Sequence, residues 1–392
     1  MTASTDDSAG EPVSARTTPD DATRAAYELG ALDWATVRGA DHTDRAAALS
    51  RRLTDDGPLG ITADLGCGPG WHLPALPDGC VALDTARPML GLVPEHGPGN
   101  PRVQADLARL PFAPASLAAA FASKAYVHLD GRTVPRALAD LHRALAPGAD
   151  IALSFFGSGA GAGQRSIDST TDEEDQFPGR CFSLWEHDHL ASVLVGAGLR
   201  ADTIDVEARE DGVPHIWVTG QRRHTLPDTV GPDMRLLVCG LNPSVRAADA
   251  GVGFVTPGNR FWPAALAAGL VTRDRDPFHA LDVHGVGMTD LAKRATRRAD
   301  ELVADEYRNG LERVERLVQW LTPGAVCFVG LAGYRVAVDR AAAPGPQPAP
   351  LGGRPVYLMP STSGLNAHSS PGELTDHLRG ALALAARAGA TG

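Results

Sequence analysis

The stretch Leu236–Trp262, LLVCGLNPSVRAADAGVGFVTPGNRFW, decides how the C-terminal half of the chain is read. It opens on an apolar run, Arg235-Leu-Leu-Val-Cys-Gly240, with the length and β content of a buried parallel strand. The strand delivers Gly240-Leu-Asn242-Pro243 at its carboxyl end, where open α/β sheets place ligand sites. Asn242 can bind water or an amide edge, but it does not ionise and so cannot act as a general base. Gly251, Gly253, Pro257 and Gly258 then give a loop that permits close backbone approach, with Phe254 inside it. Asn259-Arg-Phe-Trp262 opens a helix.

Two further segments follow in order: Val283–Arg294, VHGVGMTDLAKR, and Tyr357–Leu365, YLMPSTSGL. Together the three stretches resemble the mismatch-specific uracil/thymine-DNA glycosylase family. Its strand-end motif reads G-[IL]-N-P followed by N-[RH]-F-W, then a G-x-T-[KND] segment and a P-x-x-S-G-L wedge loop. The resemblance implies a three-layer α/β/α uracil-DNA glycosylase-like domain over residues 233–392. It implies monofunctional hydrolysis of the N-glycosidic bond of uracil, and more slowly thymine, mispaired with guanine in double-stranded DNA.

The same resemblance assigns roles. Asn242 is the catalytic residue and holds the attacking water. Gly240, Phe254, Asn259, Thr289 and Asp290 border the base pocket, with Phe254 as the stacking platform. Ser363, Gly364, Leu365 and Asn366 form the loop whose Leu365 fills the gap left by the flipped base. A base inside a duplex must be rotated out before it is attacked, and apolar wedges support such openings elsewhere. Backbone N–H groups between Gly240 and Ser244 could stabilise the departing pyrimidine anion. Simple core packing is the alternative for Phe254, and a turn leucine capping the core is the alternative for Leu365. Asp290 stands where the family more often has lysine or asparagine; it could accept from pyrimidine N3–H or cap a helix beginning near Leu291. Ser361-Thr-Ser363 departs from the N-P-S version of the wedge loop. Lys293 is the single lysine of this half, so a Schiff-base step has one weak candidate and an abasic-site product is expected.

In the C-terminal half, strands are expected at Arg235–Cys239, Ala325–Val329 and Val356–Met359. Helices are expected at Arg260–Ala268, Ala299–Leu321, Tyr334–Ala342 and Pro371–Ala388, with the proline-rich 343–350 as a loop. Gln221–Pro232, polar and proline-bearing, reads as an interdomain linker.

The N-terminal half is organised around a second strand-to-glycine turn. Residues 1–20 are polar and read as a disordered tail, and a helical pattern runs over Asp21–Leu53. Gly60-Ile-Thr-Ala-Asp64-Leu-Gly66-Cys-Gly68-Pro-Gly70 is a strand entering a glycine-rich turn, where missing side chains let the backbone approach a ligand. Asp84 ends a second strand, suited to a ribose diol, and Asp106 follows a short third one. By fingerprint alone a nicotinamide site competes. The run D-L-G-C-G-P-G, Asp84, the segment Ala105–Phe112 and the helix–turn–strand Ala139–Ser154 together resemble class I S-adenosylmethionine-dependent methyltransferases.

That resemblance covers roughly residues 25–220 and implies a Rossmann-like domain over residues 21–220 binding S-adenosylmethionine. Asp64 heads the turn; Gly66, Gly68 and Gly70 would line the methionine end, Asp84 the ribose and Asp106 the adenine amine. The acceptor side is less legible. Phe121–Leu129 lacks the N-P-P-[YF] motif of amino-methylating enzymes, and no Pro-Cys nucleophile appears. Tyr126 and His128 could face an acceptor, and Gly157–Trp185 could form a substrate lid or a solvated loop.

Composition sets the bounds. The five cysteines are isolated, which argues for a reducing cytoplasm and against structural zinc or a cysteine-held cluster. No apolar run approaches the ~18 residues a bilayer span needs, so no membrane association is expected. Residues 1–220 carry 17 Lys+Arg and 31 Asp+Glu (−14) and residues 221–392 carry 19 and 16 (+3), which together make the net −11. A basic excess confined to the second half fits nucleic-acid binding there. Two functional classes stay open: a glycosylase fused to a methyltransferase of unknown acceptor, or a methyltransferase whose glycosylase-like half only delivers it to nucleic acid.

Overall fold

A computed structural model describes residues 19–53, 60–158, 166–168, 177, 179–208 and 213–389. Eighteen residues of the expected polar tail, and most of the Gly157–Trp185 insertion, lie outside the described residues. Two α/β units follow one another along the chain. The first begins with α1 (Pro19–Val37) and α2 (Thr43–Arg52), where one continuous helical pattern was expected. The pattern breaks at His42, whose backbone is left-handed (φ 57°).

Its strands are β1 (Ile61–Leu65), β2 (Val81–Asp84), β3 (Arg102–Gln104), β4 (Leu117–Ala122), β5 (Leu145–Gly157), β6 (Ser166–Asp168), β7 (Cys181–Trp185), β8 (Leu199–Glu207) and β9 (His215–Arg222). The order β3-β2-β1-β4-β5 is parallel throughout. β9 then pairs antiparallel to both β5 and β8. α3 (Arg87–Leu92), α4 (Val134–Ala144) and α5 (His187–Gly196) complete this Rossmann-like unit. Ala63, Leu65, Leu83 and Ile151 are fully buried, as expected for strands covered on both faces.

The second unit holds β10 (Leu236–Gly240), β11 (Val286–Asp290), β12 (Ala325–Val329), β13 (Gly345–Pro346) and β14 (Val356–Met359), in the order β11-β10-β12-β14-β13. Its helices are α6 (Val245–Ala250), α7 (Phe261–Ala267), α8 (Pro277–His284), α9 (Ala304–Leu321), α10 (Leu331–Ala337) and α11 (Pro371–Gly389). Alternation along the strands separates two cores. Leu237, Cys239, Val326 and Phe328 pack with Val314, Val318 and Tyr334, while Leu236, Val238, Cys327 and Met359 pack with Phe261, Trp262, Leu374 and Leu378. The result is a three-layer α/β/α arrangement.

Several elements differ from expectation. β11 carries Gly-Met-Thr-Asp and gives no strong strand signal, yet it pairs with β10 along its whole length. α9 begins at Ala304, where Glu306 accepts from the Val303 amide (3.0 Å); residues 299–301 form a separate 3₁₀ turn. α10 starts three residues earlier than expected, and the proline-rich stretch contributes β13. No helix starts near Leu291, so Asp290 caps none.

The expected linker is built into the structure. Gln221 and Arg222 finish β9, and Thr225, Asp228, Thr229 and Val230 are buried. The Asp228 amide donates to Gly196 O (2.8 Å), and Thr229 pairs with Met288. Trp320 of α9 packs edge-on against Trp185 (5.8 Å between rings) and His189 (4.4 Å). Arg136 and Arg109 both donate to Asp282. Polar composition suggests a tether, but these polar groups are satisfied by buried partners.

At the centre of the seam, the Asp228 carboxylate accepts from Lys293 Nζ (2.9 Å), Thr289 Oγ1 (2.6 Å) and Arg313 Nη1. All of these residues are buried. Burial alone would raise the Asp228 carboxyl, but the charges of Arg313 and Lys293 outweigh it and hold the group below its ordinary value. The resulting stabilisation is present above about pH 4 and is lost as pH falls through the depressed folded value. Asp228→Ala leaves two buried cations without their counter-charge, which is expected to cost about 3–5 kcal/mol of stability at neutral pH. Urea unfolding followed by tryptophan fluorescence checks this; a loss below about 1 kcal/mol would mean that Asp228 does not neutralise the pair.

Candidate functional site

The carboxyl ends of β10 and β11 face each other, with Gly240 paired to Asp290. A Cβ on residue 240 would lie 2.3 Å from Asp290 Oδ1 and 3.4 Å from Phe254 Cζ. Glycine is therefore the residue that lets strand end, carboxylate and aromatic ring meet. Asp290 is half-buried. Burial, reinforced by Asp228 and opposed by Lys293 and Arg313, lifts its carboxyl to about 6.

The Asn259-Arg-Phe-Trp262 box holds the surrounding walls. Asn259 Oδ1 accepts from the Phe261 amide (3.0 Å) at the start of α7. The Phe261 ring stacks on Phe254, with centroids 4.2 Å apart and planes 21° from parallel. Phe254 itself has φ +61°, uncommon for a bulky residue. Trp262 Nε1 donates to Gly253 O (2.9 Å), fixing the loop behind Phe254.

Arg260 reaches across to the loop 361–369. Its amide donates to Thr362 O (2.9 Å), and its guanidinium donates to the carbonyls of Ser363 (3.1 Å), Asn366 (2.6 Å) and Ser369. Within the loop, Ser363 Oγ accepts from the Leu365 amide (3.3 Å) and Asn366 Nδ2 donates to Ser361 O (2.8 Å). Gly364 approaches the backbone of Gly258. Leu365 stands at the tip, 96% exposed, so it does not cap the core.

Asn242 is oriented by its own hydrogen bonds. The two N–H groups of Nδ2 are shared among Pro243 O (3.0 Å), Arg294 O (3.0 Å) and Thr296 Oγ1 (2.8 Å). Two of these acceptors are carbonyls, which only the nitrogen can satisfy. The Oδ1 side is thereby left to receive a donor. Thr289 is turned the other way: its hydroxyl donates to Asp228, so it does not join Asp290 beside Gly240 and Phe254, where a base pocket was expected. Neighbouring residues on a strand face opposite sides of the sheet. Lys293 is buried and paired with Asp228, which removes it as a nucleophile.

In the first unit, β1 runs into a turn where Gly66, Gly68 and Gly70 all have positive φ. A Cβ on Gly66 would lie 2.4 Å from the Cβ of Ala125. Asp84 braces the turn: its Oδ2 accepts from the Gly68 amide (2.9 Å) and its Oδ1 from the Ala86 amide (2.8 Å). Burial raises the Asp84 carboxyl, although the Ala86 and Gly68 amides pull the other way. Asp64 is wholly buried and neither carboxylate oxygen has a hydrogen-bond partner. Burial, with the Asp84 charge adding to it, lifts its carboxyl to about 8. Trp34 of α1 stacks on Trp71 (4.9 Å) beside the turn. Asp106 is exposed and caps the Ala108 amide (2.8 Å).

On the acceptor side, Tyr126 is fully buried and does not face a ligand. His128 bonds Tyr27 Oη (2.9 Å) through Nε2 and Cys181 O (3.0 Å) through Nδ1.

The model of the uracil DNA glycosylase superfamily matches residues 227–383, and that of a methyltransferase domain matches residues 63–153. The chain joins a methyltransferase domain to a uracil DNA glycosylase superfamily domain. Similar solved structures include 1,6-didemethyltoxoflavin-N1-methyltransferase of Burkholderia thailandensis with S-adenosylhomocysteine (18% identity, 55% of this chain, 93% of that chain, TM-score 0.43). Another is an S-adenosylmethionine-dependent methyltransferase of Mesorhizobium loti (22%, 46%, 100%, 0.35). A third is the geranyl diphosphate C-methyltransferase of Streptomyces coelicolor (13%, 46%, 76%, 0.38).

In the glycosylase superfamily domain, Gly240, Phe254 and Asp290 meet directly, and Asn259 sits in the box that supports them. Ser363, Gly364, Leu365 and Asn366 share the loop that Arg260 holds. Sequence reasoning missed Arg260 and Thr296 as positioning residues. Arg260 lies in the quoted box but has no chemistry that singles it out; Thr296 gives no signal. Arg260→Ala is expected to free the carbonyls of residues 363–369 at a cost of about 1–3 kcal/mol. Hydrogen exchange should accelerate in residues 361–369 far more than in α11. Unchanged exchange in that loop would show that Arg260 does not hold it.

Proposed function

We propose that the glycosylase superfamily domain is a monofunctional DNA glycosylase. It hydrolyses the N-glycosidic bond of uracil, and more slowly thymine, mispaired with guanine in duplex DNA. The observation that carries this reading is Leu365: an apolar side chain, 96% exposed, at the tip of a loop tied down beside the strand end. An exposed leucine gains nothing in the free protein, whereas a hole in a base stack would bury it.

The other residues then take roles their geometry permits. Phe254, backed by Phe261, offers a face to the extruded base. Asn242, turned so that Nδ2 faces two carbonyls and the Thr296 hydroxyl, presents Oδ1 to the attacking water and orients it without deprotonating it. Asp290, ionised above about 6, accepts from pyrimidine N3–H. Uracil fits this pocket better than thymine because it lacks the 5-methyl group. Since no general base is supplied by Asn242, the rate depends on how well the pyrimidine leaves as an anion.

We further propose that the methyltransferase domain binds S-adenosylmethionine. The positive-φ glycine turn, Asp84 beside it and the buried carboxyl of Asp64, which accepts no hydrogen bond, fit such a group. Gly66, Gly68 and Gly70 would admit the methionine end, Asp84 would take the ribose hydroxyls and Asp106 the adenine amine. When bound, the cofactor supplies an electrophilic methyl group.

Incubation of the full chain with G·U, G·T and A·U duplexes, followed by alkaline cleavage, tests the glycosylase reading. Uracil opposite guanine should be released faster than thymine; no abasic sites would refute the activity. Asn242→Ala should slow the single-turnover step by about 100-fold or more with DNA affinity retained. Leu365→Ala should lower excision from duplex but not from single-stranded uracil, with an unchanged melting temperature. Equal losses on both substrates would dismiss the wedge.

For the cofactor, calorimetry on the full chain should show binding that Asp84→Ala weakens by about 1–3 kcal/mol. The absence of heat at millimolar S-adenosylmethionine would overturn the assignment.

A further inference from the structure

One polar cluster is used by neither reading. His42, Glu207 and His215 each offer one ligand atom, and these atoms all lie within 4.8 Å of one another. Glu207 ends β8 and His215 begins β9, and the two are paired across the strands, so their side chains share a face. His215 is wholly buried. His42 arrives from the turn before α2, its ring edge-on to His215 with centroids 4.7 Å apart.

We propose that His42, Glu207 and His215 form a binding site for a divalent first-row transition-metal cation. Two imidazoles and one carboxylate are a donor set such ions accept, with positions left for exogenous ligands. The surroundings add a second, independent observation. His42 Nδ1 lies 4.0 Å from Glu207 Oε2, while its Nε2 lies 3.6 Å from Asp41 Oδ2. One ring nitrogen thus faces the donor set and the other faces a carboxylate, the arrangement that orients metal-bound histidines. Arg45 donates to Glu207 Oε1 and to Asp205 Oδ2 (2.8 Å), which leaves Glu207 Oε2 directed at His42.

Charge points the same way. Asp41, Asp205 and Glu207 are matched by Arg45 and Lys124, the latter bonded to Asp41, so one negative charge remains before a cation enters. Tetrahedral donors on bonds of about 2.1 Å stand about 3.4 Å apart. The present spacing, within 4.8 Å, would have to close to that value on binding.

The site lies at the carboxyl edge of the parallel strands. His215 pairs with Phe156 near the end of β5, and the amide of Lys124, which follows β4, donates to Ser154 Oγ (2.7 Å). If the methyltransferase reading holds, open positions on the cation would receive an oxygen of the methyl acceptor. The ligand set itself does not depend on that reading.

The test uses the full chain, without a histidine tag and stripped by chelator, titrated with zinc by calorimetry and with cobalt(II) by visible absorption. One cation per chain is expected. His42→Ala and Glu207→Gln should each weaken binding by about 10-fold or more. Both positions are partly exposed and Gln can still accept from Arg45, so melting temperatures near wild type will show that the variants fold. No uptake, or uptake that both variants leave unchanged, overturns the site. Parallel titration with S-adenosylmethionine separates the two proposals: metal bound without cofactor supports the site and refutes the methyltransferase placement.

Discussion

A single buried carboxylate organises the region where the two domains meet. Asp228 lies in a segment whose composition suggests a tether, yet it takes three side-chain donors and ties its own amide to the end of α5. Two of those donors, Thr289 and Lys293, flank Asp290 along the chain. The third, Arg313, also donates to Asp290 O (2.6 Å). The carboxylate that joins the domains therefore also fixes the backbone on which the pocket carboxylate stands. Buried cations without a partner are costly, so this region has little freedom to rearrange locally.

Legibility in the sequence followed the strength of the hydrophobic signal. Ala325–Val329 and Val356–Met359 are continuous apolar runs and appear as β12 and β14 with the expected limits. β11 was unreadable because Gly287, Thr289 and Asp290 dilute the apolar pattern; its place is fixed by register against β10. The 221–232 segment misled for the opposite reason. Its polar residues are buried with partners contributed by distant sequence, and no local pattern reports a partner 60 or more residues away.

The placement of the candidate residues was legible where each stands at a distinct feature of the fold. Asn242, Phe254 and Leu365 stand at the strand end, on the stacked ring and at the exposed tip. Thr289 was assigned to the pocket together with Asp290, although strand alternation forbids adjacent residues from lining one face. Arg260 escaped notice because its role is collective. It satisfies carbonyls of a loop about 100 residues later, and only the folded chain brings them within reach.

The two halves solve a similar physical problem at their strand ends. In each, a parallel strand ends at or just before a glycine, and a carboxylate that ends the neighbouring strand sits beside the turn. Asp290 stands where a Cβ on Gly240 would lie, whereas Asp84 accepts from the Gly68 amide. Burial raises both carboxyls, so each sits closer to neutrality than an exposed aspartate. Such a group binds a hydroxyl or an imide N–H at little desolvation cost, because much of that cost was met on folding. The difference lies in the partners. Asp84 already accepts two backbone N–H groups, which favour its ionised form and fix its direction. Asp290 has cationic neighbours in Lys293 and Arg313, but their hydrogen bonds go to Asp228, Thr289 and the Asp290 backbone carbonyl rather than to its carboxylate. Its carboxyl therefore keeps its accepting capacity, which the proposed reading of a pyrimidine N3–H would use.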